Sequence, residues 1–212
     1  MKRHAVLIKI TIGLVSLIVA TFSYPGGSQY DKNAAGFSWQ HNYLTNLFSK
    51  NAVNGLTNTA QPMAMAGMFM LCMGFIEAFI YFSKKIPSKT ASGIIKYFGV
   101  AAMVFTLLAM TPYHDIAVML ASTCALVSLF YIAVFLFRSK LIYMKVLSVI
   151  CLLCFYGSNY MYYTRTYLEL LPVMQKVTIL LVVVWILGLE YFTTGPIFNH
   201  RRNRLPAKYD KG

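Results

Sequence analysis

A small set of polar side chains in this sequence is suited to acid–base chemistry or to holding a polar group. His41 and Asn42 lie in a polar stretch rich in aromatic residues, and His114 directly precedes Asp115. Histidine has an ordinary pKa close to neutral pH, and a nearby carboxylate can orient its ring. The candidates for catalysis are therefore His114, His41 and Asp115. The predicted ligand-binding residues are Trp39, His41, Asn42, Tyr43, Asn46, His114 and Asn159.

The same residues also have plain structural explanations. Asp115 suits the first turn of a helix, because a negative charge is stabilised near the positive end of the helix. Each histidine alone could simply anchor a loop through a hydrogen bond. The sequence therefore leaves enzymatic turnover undecided.

No metal site or other cofactor is predicted. A membrane-embedded zinc hydrolase would need three histidines and a carboxylate, whereas only His41 and His114 are expected on one side of the membrane. His4 and His200 lie near the two ends of the chain. The serine-hydrolase pattern Gly-x-Ser-x-Gly and the zinc pattern His-Glu-x-x-His are both missing from the sequence.

Two acidic residues, Glu77 and Glu190, lie within apolar stretches. A carboxylate in hydrocarbon is costly and is expected to face a partner or water. Each could bond to a neighbouring helix, pair with a lysine, take up a proton, or reach the headgroup layer. If they instead line a shared path, the chain is a small transporter or channel.

The elements that must position these residues follow from the composition. Of the 212 residues, 58% are hydrophobic and 12% are charged, with a mean hydropathy of +0.60. A soluble domain has about twice that share of charged residues. The chain is therefore predicted to be an integral membrane protein.

A bilayer core about 30 Å thick requires about 20 apolar residues in a helix. The sequence predicts an all-α fold, a six-helix bundle forming a single polytopic domain over residues 1–212. The predicted spans are residues 5–23, 60–83, 91–111, 114–137, 141–163 and 172–194.

The first span has an alternative interpretation as a signal peptide. It follows Met-Lys-Arg-His and is apolar, as in a secretory leader. Its apolar stretch is longer than is usual for a leader, and residues 20–24 lack a small-x-small cleavage site. We expect a retained helix; cleavage would leave five spans.

The net charge of +13 indicates the orientation of the chain rather than nucleic-acid binding. Fifteen of the 19 Lys and Arg residues fall on one predicted side, including the basic tail 195–212. Short positively charged loops stay in the cytoplasm. Both termini are therefore predicted to be cytoplasmic, in a bacterial cytoplasmic membrane.

Residues 24–59 form the one long predicted connection, between helices 1 and 2 on the outer side. Trp39, Tyr43, Leu44, Leu47 and Phe48 recur at helical spacing. This spacing predicts a short amphipathic helix on or within the outer face. The alternative is a plug that caps the bundle.

The six spans, the stretch Asn42-Tyr-Leu-Thr-Asn-Leu-Phe48 and the histidine that opens span four resemble a bacterial six-span family. That family is distantly similar to the DRAM-like group, which includes autophagy modulators and GPI-lipid-remodelling proteins. This chain departs from the family motif at Asn46, where relatives have a carboxylate, and at Phe48, where they have glycine. The resemblance implies a membrane protein that works near lipids, and it supplies no reaction.

Three functions follow as hypotheses. The first is the binding or processing of a lipid or amphipathic small molecule in a pocket on the outer face. The second is a non-catalytic accessory subunit that binds a membrane partner or a second copy of the chain. The third is the small transporter or channel. The expected partners are membrane lipids, with a homo-oligomer or a partner subunit as further possibilities and no nucleic acid.

Overall fold

The structure is a computed structural model that describes residues 2–198. Most of the predicted basic tail, residues 199–212, lies outside the described residues. The described part contains α-helices and short 3-10 helices and no β-strand. The α-helices are α1 (Lys2–Phe22), α2 (Gln61–Ser83), α3 (Lys89–Leu108), α4 (His114–Phe137), α5 (Ile142–Thr164) and α6 (Leu171–Phe192).

These six helices are each long and apolar enough to cross a membrane, as the sequence predicts. Their ends agree with the predicted spans to within three residues. The largest difference at a carboxyl end is in α3, which stops at Leu108 rather than residue 111. Pro112 disfavours helical geometry in the residue before it, so the chain turns ahead of it.

Successive helices pack side by side, and α6 returns to contact both α1 and α2. Short turns join α2 to α3, α3 to α4 and α4 to α5, so these helices are antiparallel. The basic end is defined as the end of the bundle that holds the turns 84–88 and 138–141. The opposite end, which holds residues 23–60 and the turn 109–113, is called the loop end.

Glycines allow α1 and α2 to approach closely. A Cβ atom added at Gly67 would lie 2.8 Å from Cβ of Ser16, and one added at Gly13 would lie 2.8 Å from the Gly67 carbonyl oxygen. Small residues let helix backbones approach in a membrane, where dispersion contacts replace the hydrophobic effect. This face of α2, with its small side chains, is a packing surface against α1.

The buried core extends along α1 and α2 to the connecting residues 23–60, whereas in α3 and α5 it lies toward the basic end. Trp185 of α6 is fully buried, and its indole N–H donates a hydrogen bond of 2.9 Å to Ser148 Oγ of α5. Toward the loop end, α5 has no buried residue after Cys151, and α3 has none after Ala102. These two helices, α3 and α5, are therefore less buried at the loop end.

Residues 23–60, the connecting segment, contain a single short helix. It is a 3-10 helix, Leu44–Phe48, that contacts α2 and α6 and buries Leu44, Leu47 and Phe48. The helical spacing of Trp39, Tyr43, Leu44, Leu47 and Phe48 predicts a short amphipathic helix, and the helix observed does not include Trp39 or Tyr43. Asn and Ser side chains in this stretch bond to the nearby backbone and favour turns over helix.

Candidate functional site

The amides of Asn42 and Asn46 hold the connecting segment together. Asn42 is fully buried; its Oδ1 accepts from the Ser38 N–H at 2.9 Å and its Nδ2 donates to the Gly27 carbonyl at 2.8 Å. Asn46 Oδ1 accepts from the Tyr43 N–H at 2.7 Å. Buried polar groups need such partners. These two predicted ligand-binding residues thus serve the local fold.

His41 belongs to an aromatic group in the same segment. Its ring lies 4.8 Å from the Tyr30 ring, and its Nδ1 lies 3.4 Å from Ser38 Oγ. Partial loss of hydration and the neighbouring Glu169 carboxylate raise the pKa of Tyr30. Trp39 packs edge-on against Phe37 and remains 50% exposed.

Tyr43 connects the segment to the turn between α5 and α6. Its hydroxyl donates to the Leu168 carbonyl at 3.5 Å. Burial raises the pKa of Tyr43, and the nearby Arg165 opposes this shift. Tyr43 therefore also has a role in holding the segment against its neighbours.

His114 and Asp115 form a pair at the start of α4. His114 Nδ1 lies 3.2 Å from Asp115 Oδ1, and the Tyr162 hydroxyl of α5 donates to the same oxygen at 3.0 Å. The Arg165 guanidinium lies 5.6 Å from the centroid of the Tyr162 ring. The Asp115 side chain is 85% exposed and that of His114 is 38% exposed. Asp115 lies in the first turn of its helix, as predicted.

His114 also borders a cleft of about 460 Å³ between the connecting segment and the turn 109–113. We call it the His114 cleft. Its lining comes from the 3-10 helix, the start of α2 and the turn before α4. The lining residues are Thr45, Phe48, Ser49, Lys50, Gln61, Ala109, Met110, Thr111, Pro112 and His114.

The predicted pocket residues do not all meet in this cleft. Of the predicted set, His114 alone lines it. His41 lies with Tyr30 and Ser38, and the Asn159 amide donates to the Phe155 carbonyl of its own helix at 2.8 Å. Lys50 and Gln61, which sequence reasoning did not identify, line the cleft instead.

Two residues of α6 that sequence reasoning missed hold the connecting segment in place. The Lys176 ammonium donates to the Asn42 carbonyl at 2.6 Å and to the Pro172 carbonyl at 2.8 Å. Gln175 Oε1 accepts from the Leu44 N–H at 2.9 Å. The available signal was a glutamine and a lysine side by side near the start of a mostly apolar helix.

Asn58 and Gln61 fix the other side of the 3-10 helix. The Asn58 amide lies 2.8 Å from the Ser49 carbonyl and 3.1 Å from the Leu47 carbonyl. Gln61 Nε2 donates to the Phe48 carbonyl at 2.8 Å. These bonds supply donors to backbone carbonyl groups that have no hydrogen-bond partner within the short helix. They hold Phe48 at the wall of the His114 cleft.

The two acids within the apolar helices α2 and α6 lie at the basic end, away from the cleft. Glu77 of α2 pairs with Lys9 of α1. Glu190 of α6 is 5% exposed and lies 3.3 Å from the Lys85 ammonium. Each acid thus has a lysine partner on another segment.

Among residues 2–198, no group of three or more His, Cys, Asp or Glu side chains could hold a metal ion. A second concavity, of about 570 Å³, is lined by residues 165 and 167–170 of the turn between α5 and α6.

Comparison with known proteins adds no relative: no protein-family model, curated protein or solved structure matches this chain.

Proposed function

We propose that this chain is a multi-pass membrane protein that binds a lipid or another amphipathic molecule in the His114 cleft. The observation that carries the proposal is the mixed chemistry of the cleft. Phe48 and Met110 offer apolar surface, while Lys50, Gln61 and His114 offer polar groups in the same space. Ligand sites commonly combine an apolar lining with a few polar groups that fix orientation.

The position of the cleft favours a membrane ligand. Its walls come from the ends of three apolar helices, where a spanning segment meets the headgroup layer. A molecule entering there could keep an acyl chain against lipid-exposed helices and place its polar group near His114. A wholly water-soluble ligand would gain little from this position.

The pair of His114 and Asp115 defines the chemistry available to the polar group. With the Nδ1 proton directed at Asp115, the remaining ring nitrogen, Nε2, is free to accept a hydrogen bond. A hydroxyl of a headgroup or a water molecule could fill that position. The proposal is therefore one of binding.

The proposed orientation places the cleft outside the cytoplasm. Between Lys9 and Glu190, the basic end has eight cations against two carboxylates, whereas the loop end has four cations against three carboxylates. The positive-inside rule then assigns the basic end and both termini to the cytoplasm.

The test is the lipid content of the purified protein. The wild type and the His114→Ala variant are isolated in mild detergent, and the bound lipids are quantified by mass spectrometry. His41→Ala is the matched control, because His41 does not line the cleft. Loss of a bound lipid class in His114→Ala alone supports the proposal. Identical lipid profiles for all three folded proteins contradict it.

A second candidate is an accessory subunit that binds a partner helix through α5. In its most apolar window, α5 is 17% buried, whereas α2 is 50% buried. Such a helix has room for a lateral partner, although lipid alone could cover it. Cross-linking from Leu153→Cys, an exposed position on α5, to a stoichiometric membrane protein would favour this function. Labelling by lipid alone would count against it.

A further inference from the structure

The basic end of the bundle carries cations without carboxylate partners. Among residues 4–194 and 197–198, whose side chains the structure describes, six Lys and Arg side chains at this end have no carboxylate within 4.0 Å. Both carboxylates at this end are engaged, Glu77 by Lys9 and Glu190 by Lys85. The six cations are Lys84, Lys89, Lys96, Arg138, Lys140 and Lys145.

These cations adjoin exposed aromatic and apolar side chains. Lys96 lies 5.1 Å from the ring centroid of Tyr97, which is 67% exposed. Tyr143, beside Lys140 and Lys145 in the chain, is 89% exposed. Exposed tyrosine rings beside cations are typical of the membrane–water interface. Phospholipid offers both an acidic phosphate and an apolar chain at this level.

We propose that the basic end binds anionic phospholipid headgroups. The turns 84–88 and 138–141 contribute cations to one face of the bundle. Clusters of Lys and Arg at the end of a membrane helix attract anionic lipids, and the attraction decays over about a Debye length. The site lies at the opposite end of the bundle from the His114 cleft and does not depend on it.

The experiment measures lipid retention by native mass spectrometry. The full chain is placed in nanodiscs of equal parts phosphatidylcholine and phosphatidylglycerol, and the lipids that stay bound after release are counted. The test variant is Arg138→Gln/Lys140→Gln. The matched control is Lys32→Gln/Arg165→Gln, which removes two exposed cations from the loop end.

The wild type and the loop-end control are expected to retain phosphatidylglycerol in excess over phosphatidylcholine. In the test variant, the excess of phosphatidylglycerol should fall at least about fivefold, which is the change expected from the loss of about one surface cation. The charge-preserving variant Arg138→Lys/Lys140→Arg should keep it, which separates loss of charge from loss of fold. Equal retention by all proteins, or an equal loss in the loop-end control, would overturn the proposal. Loss of bound lipid in His114→Ala alone would concern the His114 cleft and would not count against the site at the basic end.

Discussion

The Lys176 ammonium of α6 lies 2.6 Å from the carbonyl oxygen of Asn42 in the connecting segment. It also lies 5.7 Å from the centroid of the Phe37 ring. A cation that donates to a backbone carbonyl makes a stronger bond than a neutral donor. Lys176 thus ties the segment that forms one wall of the His114 cleft to the helix bundle.

Replacing Lys176 with Met should loosen the connecting segment. The variant loses two bonds from a charged donor, each contributing about 1.5–3 kcal/mol. Hydrogen exchange of the amides of residues 42–46 should accelerate, while that of α2 stays unchanged. Lys32→Met, at an exposed position, is the control and should leave the exchange unaltered. Unchanged protection in Lys176→Met would contradict this role.

Replacing Gly67 with Ala should destabilise the bundle. The new methyl group would meet Ser16 Cβ at 2.8 Å and the Gly13 carbonyl oxygen at 3.0 Å, so α1 and α2 must separate. Overpacking of this kind costs roughly 1–3 kcal/mol. Gly157→Ala is the control, because nothing lies within 4 Å of its added Cβ atom. Titration with SDS should show a lower unfolding midpoint for Gly67→Ala only.

Because Lys9 and Glu77 form an ion pair, removing both side chains should destabilise the protein less than removing Glu77 alone. Glu77→Leu alone should reduce the free energy of unfolding by about 2 kcal/mol, since it leaves Lys9 without its carboxylate. The side chains are 27% and 23% exposed, so the effect should be smaller than for a fully buried pair. The double variant Lys9→Met/Glu77→Leu should recover most of the loss. If the two losses simply add, the pair contributes no coupling.

The orientation can be tested by labelling single cysteines in intact cells. Lys32→Cys, in the connecting segment, should react with a membrane-impermeant maleimide from outside. Lys89→Cys, at the basic end, should react only after permeabilisation. The unaltered protein serves as the background for its own cysteines, all four of which lie within helices. The reverse pattern of labelling would invert the proposed topology.

The helices were predictable because each consists of an apolar stretch long enough to cross a bilayer, and such a stretch can be read directly from the sequence. The fold of residues 23–60 could be predicted less well from the sequence. Its fold depends on single bonds, such as Asn42 to Gly27 and Asn58 to Ser49, between residues separated by nine to fifteen positions. No periodic pattern encodes such contacts.

The candidate site, too, could be predicted from the sequence only in part. His114 was identified from its position at the start of a helix, and it does line a cleft. Its expected neighbour His41 instead packs beside Tyr30, because the turn at Ser38–Asn42 directs it there. Lys50 and Gln61 were overlooked because a lysine near a loop end and a glutamine before a span are common surface residues.

The most direct test of the central claim is photo-cross-linking at the His114 cleft. The protein is reconstituted with a phospholipid that carries a diazirine near the headgroup, irradiated and digested, and the labelled peptides are identified by mass spectrometry. Label should concentrate on the peptides containing Phe48 and Met110, and His114→Ala should reduce it there several-fold while His41→Ala does not. Label spread evenly over the lipid-exposed helices, with no effect of His114→Ala, would contradict the account.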